Sequence, residues 1–428
     1  MDYRLGQAMN KRVLLIAYHY PPLRGSSGIQ RALRFSQYLQ DFGWEPIVLT
    51  AHPRAYQDKS DDLLADVPPG VIVERAFALD TSRHLSLGGR YPRSLATPDR
   101  WMSWWFGAVP AGLRLIRKYK PAAIWSTYPI ATAHRIGATL NRLTGLPWIA
   151  DFRDPMAQEG YPTDPAIWAA FKRIEMQAIA QARFVTFTSP GAIRTYRANY
   201  PDLALDKLVL LENGYDEDAF AMASCKAVPA APSGRIVLLH SGIVYSSERD
   251  PSHLFAAMRQ LKQSAHPLAD RLLLRLRATG NDTLLQSMIA EAGIGDMVEL
   301  LPAIPYADAL AEMMSVDALL VLQAANCNGQ IPAKAYEYLR AQQPLLALTD
   351  PAGDTADVIR RAGIDTIAPL DNTDAIVAAL GTFLMSVDNA TAPLADAQVL
   401  KNASRRGRTG QLARLLEAAV VSNSNSGN

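Results

Sequence analysis

Lys334 and Glu337 stand three residues apart, a spacing that makes a cation and a carboxylate neighbours on one helix face. They lie in the stretch Asn326–Leu348. An apolar run, Ala318–Leu322, precedes it and reads as a buried strand; a second, Pro344–Leu348, ends it. Asn328-Gly329 marks a turn, and Pro332 suits the first turn of a helix. The first N–H groups of a helix have no partner within it, so a strand, a tight turn and a helix start make an anion site. A lysine there adds a full positive charge, and a carboxylate one turn on accepts hydrogen bonds from hydroxyls. Phosphates at the helix start and a ribose against the glutamate would hold a nucleoside diphosphate. The competing reading is a helical ion pair, contributing roughly a few tenths of a kcal/mol.

The surrounding pattern alternates strands with helices. Val13–Tyr18 reads as a strand, followed by the loop Gly25, Ser26, Ser27, Gly28, a helix through Ile29, Leu33, Phe35 and Leu39, and a strand at Pro46–Thr50. That loop lacks the G-x-G-x-x-G spacing, and no acidic residue closes the second strand, so a dinucleotide fingerprint is absent. Further strands are expected at Val71–Glu74, Ala122–Ser126, Trp148–Asp151, Phe184–Thr188 and Leu208–Leu211. In open α/β sheets ligands gather at the carboxyl ends of strands. Here those ends offer His19, Thr127, Asp151, Arg153, Asp154, Ser189 and Glu212. Arg153 between its two carboxylates reads either as a ligand-facing group or as a structural ion-pair knot. His134 falls inside a helix, where a packed or surface histidine is expected.

A second α/β series runs from Arg235–His240 through Leu272–Arg277, Val298–Leu301, Ala318–Leu322 and Pro344–Leu348 to Thr366–Pro369. Its first strand opens into a loop with Gly242 and Arg249. The Ala, Pro and Ser content of Asp216–Gly234 suggests a linker. The expected division is therefore a domain over 1–218, a linker over 219–234 and a second domain over 235–395. A basic helix follows over 396–421, packing back on the first domain, and the polar tail 422–428 is expected to be disordered.

At 428 residues the chain exceeds one ordinary core, and 49% hydrophobic content supplies packed interiors. A formal net charge of +2 argues against a general nucleic-acid binder. Cys225 and Cys327 fit neither a metal spacing nor a disulfide framework and suit a reducing, cytoplasmic compartment. Asp61-Asp62 makes no convincing metal site, and no metal or other cofactor is expected. The residues before Tyr20 read as a first strand rather than a cleaved leader, and no run reaches the ~18 apolar residues of a membrane span. One stretch is unusual: Arg83–Lys120 places Trp101, Trp104, Trp105 and Phe106 among many cations and one acid, Asp99. It suits peripheral docking on an anionic membrane, on the inner face of the cell membrane. The alternative is a core-packing helix with buried tryptophans.

Two such sheets in series resemble the GT-B glycosyltransferases, and most closely glycosyltransferase family 4. The motifs are Tyr-His-Tyr-Pro-Pro with the glycine loop, Phe-Gly-Trp-Glu-Pro-Ile-Val-Leu-Thr (42–50), Asp-Phe-Arg-Asp-Pro (151–155), Glu-Asn-Gly-Tyr-Asp (212–216), and the Pro332, Lys334, Glu337 segment. The resemblance implies two Rossmann-like doubly wound domains facing across a cleft. It also implies retaining transfer of a sugar from a nucleotide sugar on the second domain to a saccharide or lipid-linked acceptor on the first, as in cell-surface polysaccharide assembly. Glu337 matches the second glutamate of the family's E-x7-E motif; the first falls at Gly329, so backbone amides over Gly329, Gln330 and Ile331 would substitute. Arg249 falls where the family has a diphosphate lysine. Ile243 replaces the preceding arginine, a charge Lys334 would supply, and Ser126 or Thr127 replaces the family's histidine. A relative that binds nucleotide sugar without turnover, or another GT-B enzyme such as a sugar-nucleotide epimerase, is the alternative.

Overall fold

Parallel strands buried on both faces need near-continuous apolar runs, and the runs in this chain become two parallel sheets. The computed structural model describes residues 11–25, 28–226 and 234–425, so Ser26, Ser27 and residues 227–233 of the expected linker lie outside the described residues. The first unit spans residues up to Glu212 together with those from Arg405 on; the second spans Asn213–Ser404.

In the first unit, β1 (Lys11–Ile16), β2 (Trp44–Ala51), β3 (Ile72–Ala76), β4 (Ala123–Thr127), β5 (Trp148–Arg153), β6 (Phe184–Phe187) and β7 (Leu208–Leu210) pair in the order 3-2-1-4-5-6-7. Alternate residues of β1 serve opposite faces. Leu14 and Ile16 pack with Trp104, Ile124 and Trp148, whereas Val13 and Leu15 pack with Trp125, Leu412 and Leu416. Strand order reverses between β1 and β4, which marks the ligand-binding end of such a sheet.

The second unit repeats the plan with β8 (Ile236–Ser241), β9 (Leu272–Arg277), β10 (Val298–Leu301), β11 (Ala318–Leu322), β12 (Leu345–Leu348) and β13 (Ile367–Ala368), ordered 10-9-8-11-12-13. Its reversal lies between β8 and β11, the two strands whose loops the sequence singles out.

Three boundaries differ from the sequence reading. The start of the expected linker is helical: Glu217–Ser224 is capped by Asp216 and buries Phe220 completely, so it belongs to the second unit. The expected single helix from Ala397 is two, Ala397–Ala403 and Arg405–Asn425, because Ser404 is extended. Only the second of these rejoins the first unit, through Arg408 to Glu212 at 2.6 Å and Arg406 to Asp41 at 3.1 Å. That helix also runs through Ser422 to Asn425, into the segment expected to be disordered. The chain passes between units beside Gly214, where a Cβ would meet the Ala403 carbonyl oxygen.

Trp104 is fully buried, and Trp105 donates from Nε1 to Thr139 Oγ1 at 3.0 Å. The tryptophans thus serve the core of the first unit, as the alternative reading of that stretch required. His134 is likewise a core residue, its Nδ1 at 2.8 Å from Ser126 Oγ and its imidazole held near a pKa of about 3 by burial.

Candidate functional site

At the β8/β11 reversal, β8 opens into a loop through Gly242 to Asp250, and β11 opens into residues 323–332 and the helix Ala333–Ala341. The two loops are laced together: Ala324 N–H donates to the Glu248 carbonyl at 2.7 Å, and Asn326 Nδ2 to the Ser247 carbonyl at 2.8 Å. Gln323 Nε2 ties down the Cys327 and Gln330 carbonyls at 2.9 and 3.0 Å, and Thr355 Oγ1 adds a second bond to Gln330 at 3.1 Å. Buried Ile331 anchors the approach to the helix. These bonds fix where the helix starts, and therefore where Lys334 reaches.

Among the described residues Lys334 makes no ion pair or hydrogen bond. Its ammonium lies over Gly242, where a Cβ would overlap it. Gly242 has φ +135°, a backbone state that favours glycine. Burial pushes the Lys334 ammonium down to about 8, opposed by Glu337 and reinforced by Arg249. Arg249 comes from the other loop, held by a bond from Nη1 to the Ile243 carbonyl at 2.6 Å and by stacking 5.3 Å from the Tyr245 ring centroid. No carboxylate lies within ion-pair distance of either cation among the described residues. Two like charges are thus gathered with no carboxylate in contact, which favours an anionic ligand.

Glu337 is not the ion-pair partner of Lys334. Its Oε1 accepts from Tyr306 Oη at 2.8 Å, which orients the carboxylate. Two neighbours complete the floor. His240 is buried, with Nδ1 2.9 Å from the Leu320 carbonyl, and burial with Lys334 holds it near a pKa of about 3, hence neutral. Tyr338 Oη accepts from Ser241 N–H at 2.8 Å. Sequence reasoning missed Tyr306, His240, Tyr338 and Gln323; His240 reads there as the end of a strand, and no spacing ties Tyr306 to Glu337. One substitute amide is also corrected: the Gln330 N–H is spent on the Cys327 carbonyl at 2.9 Å, inside the loop.

A substitution tests this packing. Gly242→Ala combines a strained φ with displacement of the Lys334 ammonium. Thermal unfolding should show a loss of more than about 1 kcal/mol. Stabilisation by added nucleoside diphosphate should fall far more than that loss explains.

In the first unit the structure separates the strand-end residues. Asp151 is a buried structural carboxylate, and Thr127 is spent on it. Asp151 accepts from Arg31 Nε and Nη2 at 2.8 and 2.7 Å, from Thr127 Oγ1 at 2.8 Å and from Thr186 Oγ1 at 2.7 Å. Burial pushes its carboxyl up, but Arg31 and the hydroxyls outweigh that and hold it below the usual carboxylate range. This corrects the expectation that Thr127 and Asp151 face an acceptor, because their polar atoms are used up in the interior. Arg31, which sequence reasoning missed, also donates to the Leu211 and Glu212 carbonyls at 2.9 and 3.2 Å. Arg153 and Asp154 stay only partly buried at the same sheet end. Gly25 is exposed with φ +83°, and Gly28 begins the helix Gly28–Tyr38. Among the described residues no group of His, Cys, Asp or Glu could hold a metal ion, and no helix is long and apolar enough to cross a membrane.

Residues 27–214 match the family described as Glycosyl transferase 4-like domain. No curated protein matches the chain. Among solved structures, it resembles sucrose-phosphate synthase from Thermosynechococcus elongatus at 17% identity and a TM-score of 0.63, covering 97% of this chain and 98% of that one. A glycosyltransferase from Rickettsia africae matches at 13% and 0.64, covering 96% and 99%. Anabaena HepE, solved in complex with UDP, matches at 12% and 0.61, covering 97% and 99%. At such identities the likeness carries the fold, which is GT-B.

Proposed function

We propose, for a chain whose residues 27–214 match a glycosyl transferase 4-like domain and whose fold is GT-B, that it moves a sugar from a nucleoside-diphosphate sugar to a saccharide or lipid-linked acceptor with retained anomeric configuration. The observation that carries this is the pair Lys334 and Arg249, brought from two loops at the β8/β11 reversal with no protein carboxylate in contact. The UDP held by HepE supports a nucleoside diphosphate as leaving group.

As the bond from sugar to phosphate breaks, negative charge grows on the diphosphate and positive charge on the anomeric carbon. Cations fixed in place before the reaction favour that separation without reorganising. Glu337, oriented by Tyr306, accepts hydrogen bonds from the ribose hydroxyls. By analogy with the family the chain resembles, the leaving phosphate itself takes the acceptor proton on the same face. Gly329, which falls where the E-x7-E motif of the family it resembles has its first glutamate, favours a second reading: a nucleotide-sugar sensor without turnover.

A thermal-shift screen against the common nucleoside diphosphates, followed by transfer and donor-hydrolysis assays, tests both. One diphosphate should stabilise the protein, by about 2.7 kcal/mol at a hundredfold excess over Kd. Binding with no turnover over a broad acceptor panel would favour the sensor, and no binding at all would defeat both readings.

The acceptor reading extends to a membrane-borne substrate in cell-surface polysaccharide assembly. Exposed Leu85, Leu87, Tyr91 and Leu95 share one connection with exposed Arg83, Arg90 and Arg93, an apolar and cationic mixture suited to anionic lipid. Vesicles with anionic lipid should pellet the protein, with binding weakened by salt and lost in Leu87→Asp. Equal binding to neutral vesicles would contradict the charge part of this reading.

A further inference from the structure

We infer, resting on the transferase reading for the word acceptor, that Arg153 in the first unit binds an anionic group of that acceptor, a phosphate or diphosphate. Among the described residues no carboxylate lies within ion-pair distance of this arginine. Its one hydrogen bond runs from Nη1 to the Tyr128 carbonyl at 3.3 Å, and its Nε is buried with no partner. A guanidinium presents a fork of donors that matches phosphate oxygens two at a time. A buried donor left without an acceptor is costly, so the orphaned Nε calls for an acceptor from a ligand.

The backbone aims the side chain. Arg153 is a non-glycine residue at φ +63°, where the pairing of β5 with β6 shifts register between Asp151 and Arg153. Such an irregularity re-aims a side chain that regular pleating would direct elsewhere. Thr188 holds the turned peptide, donating to the Arg153 carbonyl from N–H at 2.8 Å and from Oγ1 at 2.9 Å. The place is the carboxyl end of the sheet, beside the β1/β4 reversal, where a ligand is expected.

Surrounding charge agrees with this aim. Arg31 and Arg405 both act on Arg153 as like charges, and Asp151 and Asp154 as opposite ones. Asp151 is already committed to Arg31, and the Asp154 carboxyl is held above the usual range by burial. His19 also faces Arg153; burial and that cation keep its imidazole near a pKa of about 4, so at neutral pH it adds no charge. The same chemistry has two sources: a phosphate on a water-soluble saccharide, or the phosphate of a lipid carrier.

The test uses the full chain saturated with the nucleoside diphosphate that stabilises it, so that the second unit's cations are already filled. Calorimetric titrations add inorganic phosphate, glucose 6-phosphate, glucose, and neutral vesicles with or without polyprenyl phosphate. At least one phosphate-bearing probe should bind. Arg153→Gln should weaken it tenfold or more, and Arg153→Lys by less, while nucleotide affinity stays unchanged in both. Nucleotide binding by each variant reports that it is folded. Binding of soluble phosphates identifies a soluble acceptor, and binding of polyprenyl vesicles alone identifies a lipid carrier; both support the site. No phosphate binding to nucleotide-saturated protein, or binding indifferent to Arg153→Gln, overturns it. Absence of nucleotide binding in the wild type would instead defeat the transferase reading, and phosphate titration of the ligand-free protein would still decide Arg153.

Discussion

Lys334→Met is expected to lower the rate of sugar transfer by about 10²–10³, roughly 3–4 kcal/mol of barrier, the scale of removing one preorganised donor. The same substitution should raise the melting temperature of the ligand-free protein. Lys334 titrates near 8 in the fold, against about 10.4 for an unperturbed lysine. Between those values the unfolded chain binds more protons, so stability attributable to this group rises with pH across that window. Below about pH 8 the cost of burying the ammonium is fully present, and methionine removes it. Activity lost and stability gained together would mark a residue kept for its ligand. Kinetics and thermal unfolding at pH 7 measure both, and a loss of stability alongside activity would indicate a merely structural lysine.

Asp151→Ala should give the largest loss of stability, about 3–5 kcal/mol, because it leaves the Arg31 guanidinium buried without a counter-charge. Arg31 is 4% exposed and Asp151 0%. Two threonine hydroxyls would also lose their acceptor. Removing both charges, as in Arg31→Met with Asp151→Ala, should recover much of the loss, since the main penalty lies in the unpaired charge. Denaturant unfolding of the single and double variants checks this. Additive losses would show that the pair is not coupled. The wild-type contribution should be complete above about pH 4 and fade as pH falls through the depressed carboxyl value.

The sheets were largely legible because their signal is local. Apolar runs such as Val13–Ile16 and Ala318–Leu322 announce buried parallel strands, and the alternation with helices fixes the fold class. Lys334 was equally visible, three residues from Glu337 and just inside a helix start. What the spacing could not convey is the partner of each charge. Glu337 looks like the mate of Lys334 along the helix, yet Tyr306, distant in sequence, holds it. Asp151 at a strand end looks ligand-facing, yet it turns inward to Arg31, a residue inside a helix whose apolar positions drew attention instead. Strand-end position says where a residue sits but not which way its side chain points. The tryptophans of the basic stretch pose the same problem, and packing against Tyr18 and Thr139 decides it.

The central claim is that Lys334 binds the diphosphate as a cation, from a ligand-free state in which burial has already loosened its proton. Calorimetry of nucleoside diphosphate binding at about pH 9, in buffers of different ionisation enthalpy, measures the protons taken up on binding. The ligand's own phosphate groups are fully ionised there, so the uptake belongs to the protein. Wild-type protein is expected to take up close to one proton per diphosphate, and Lys334→Arg to bind with almost none. Zero uptake in the wild type, or the same uptake in Lys334→Arg, would contradict the claim.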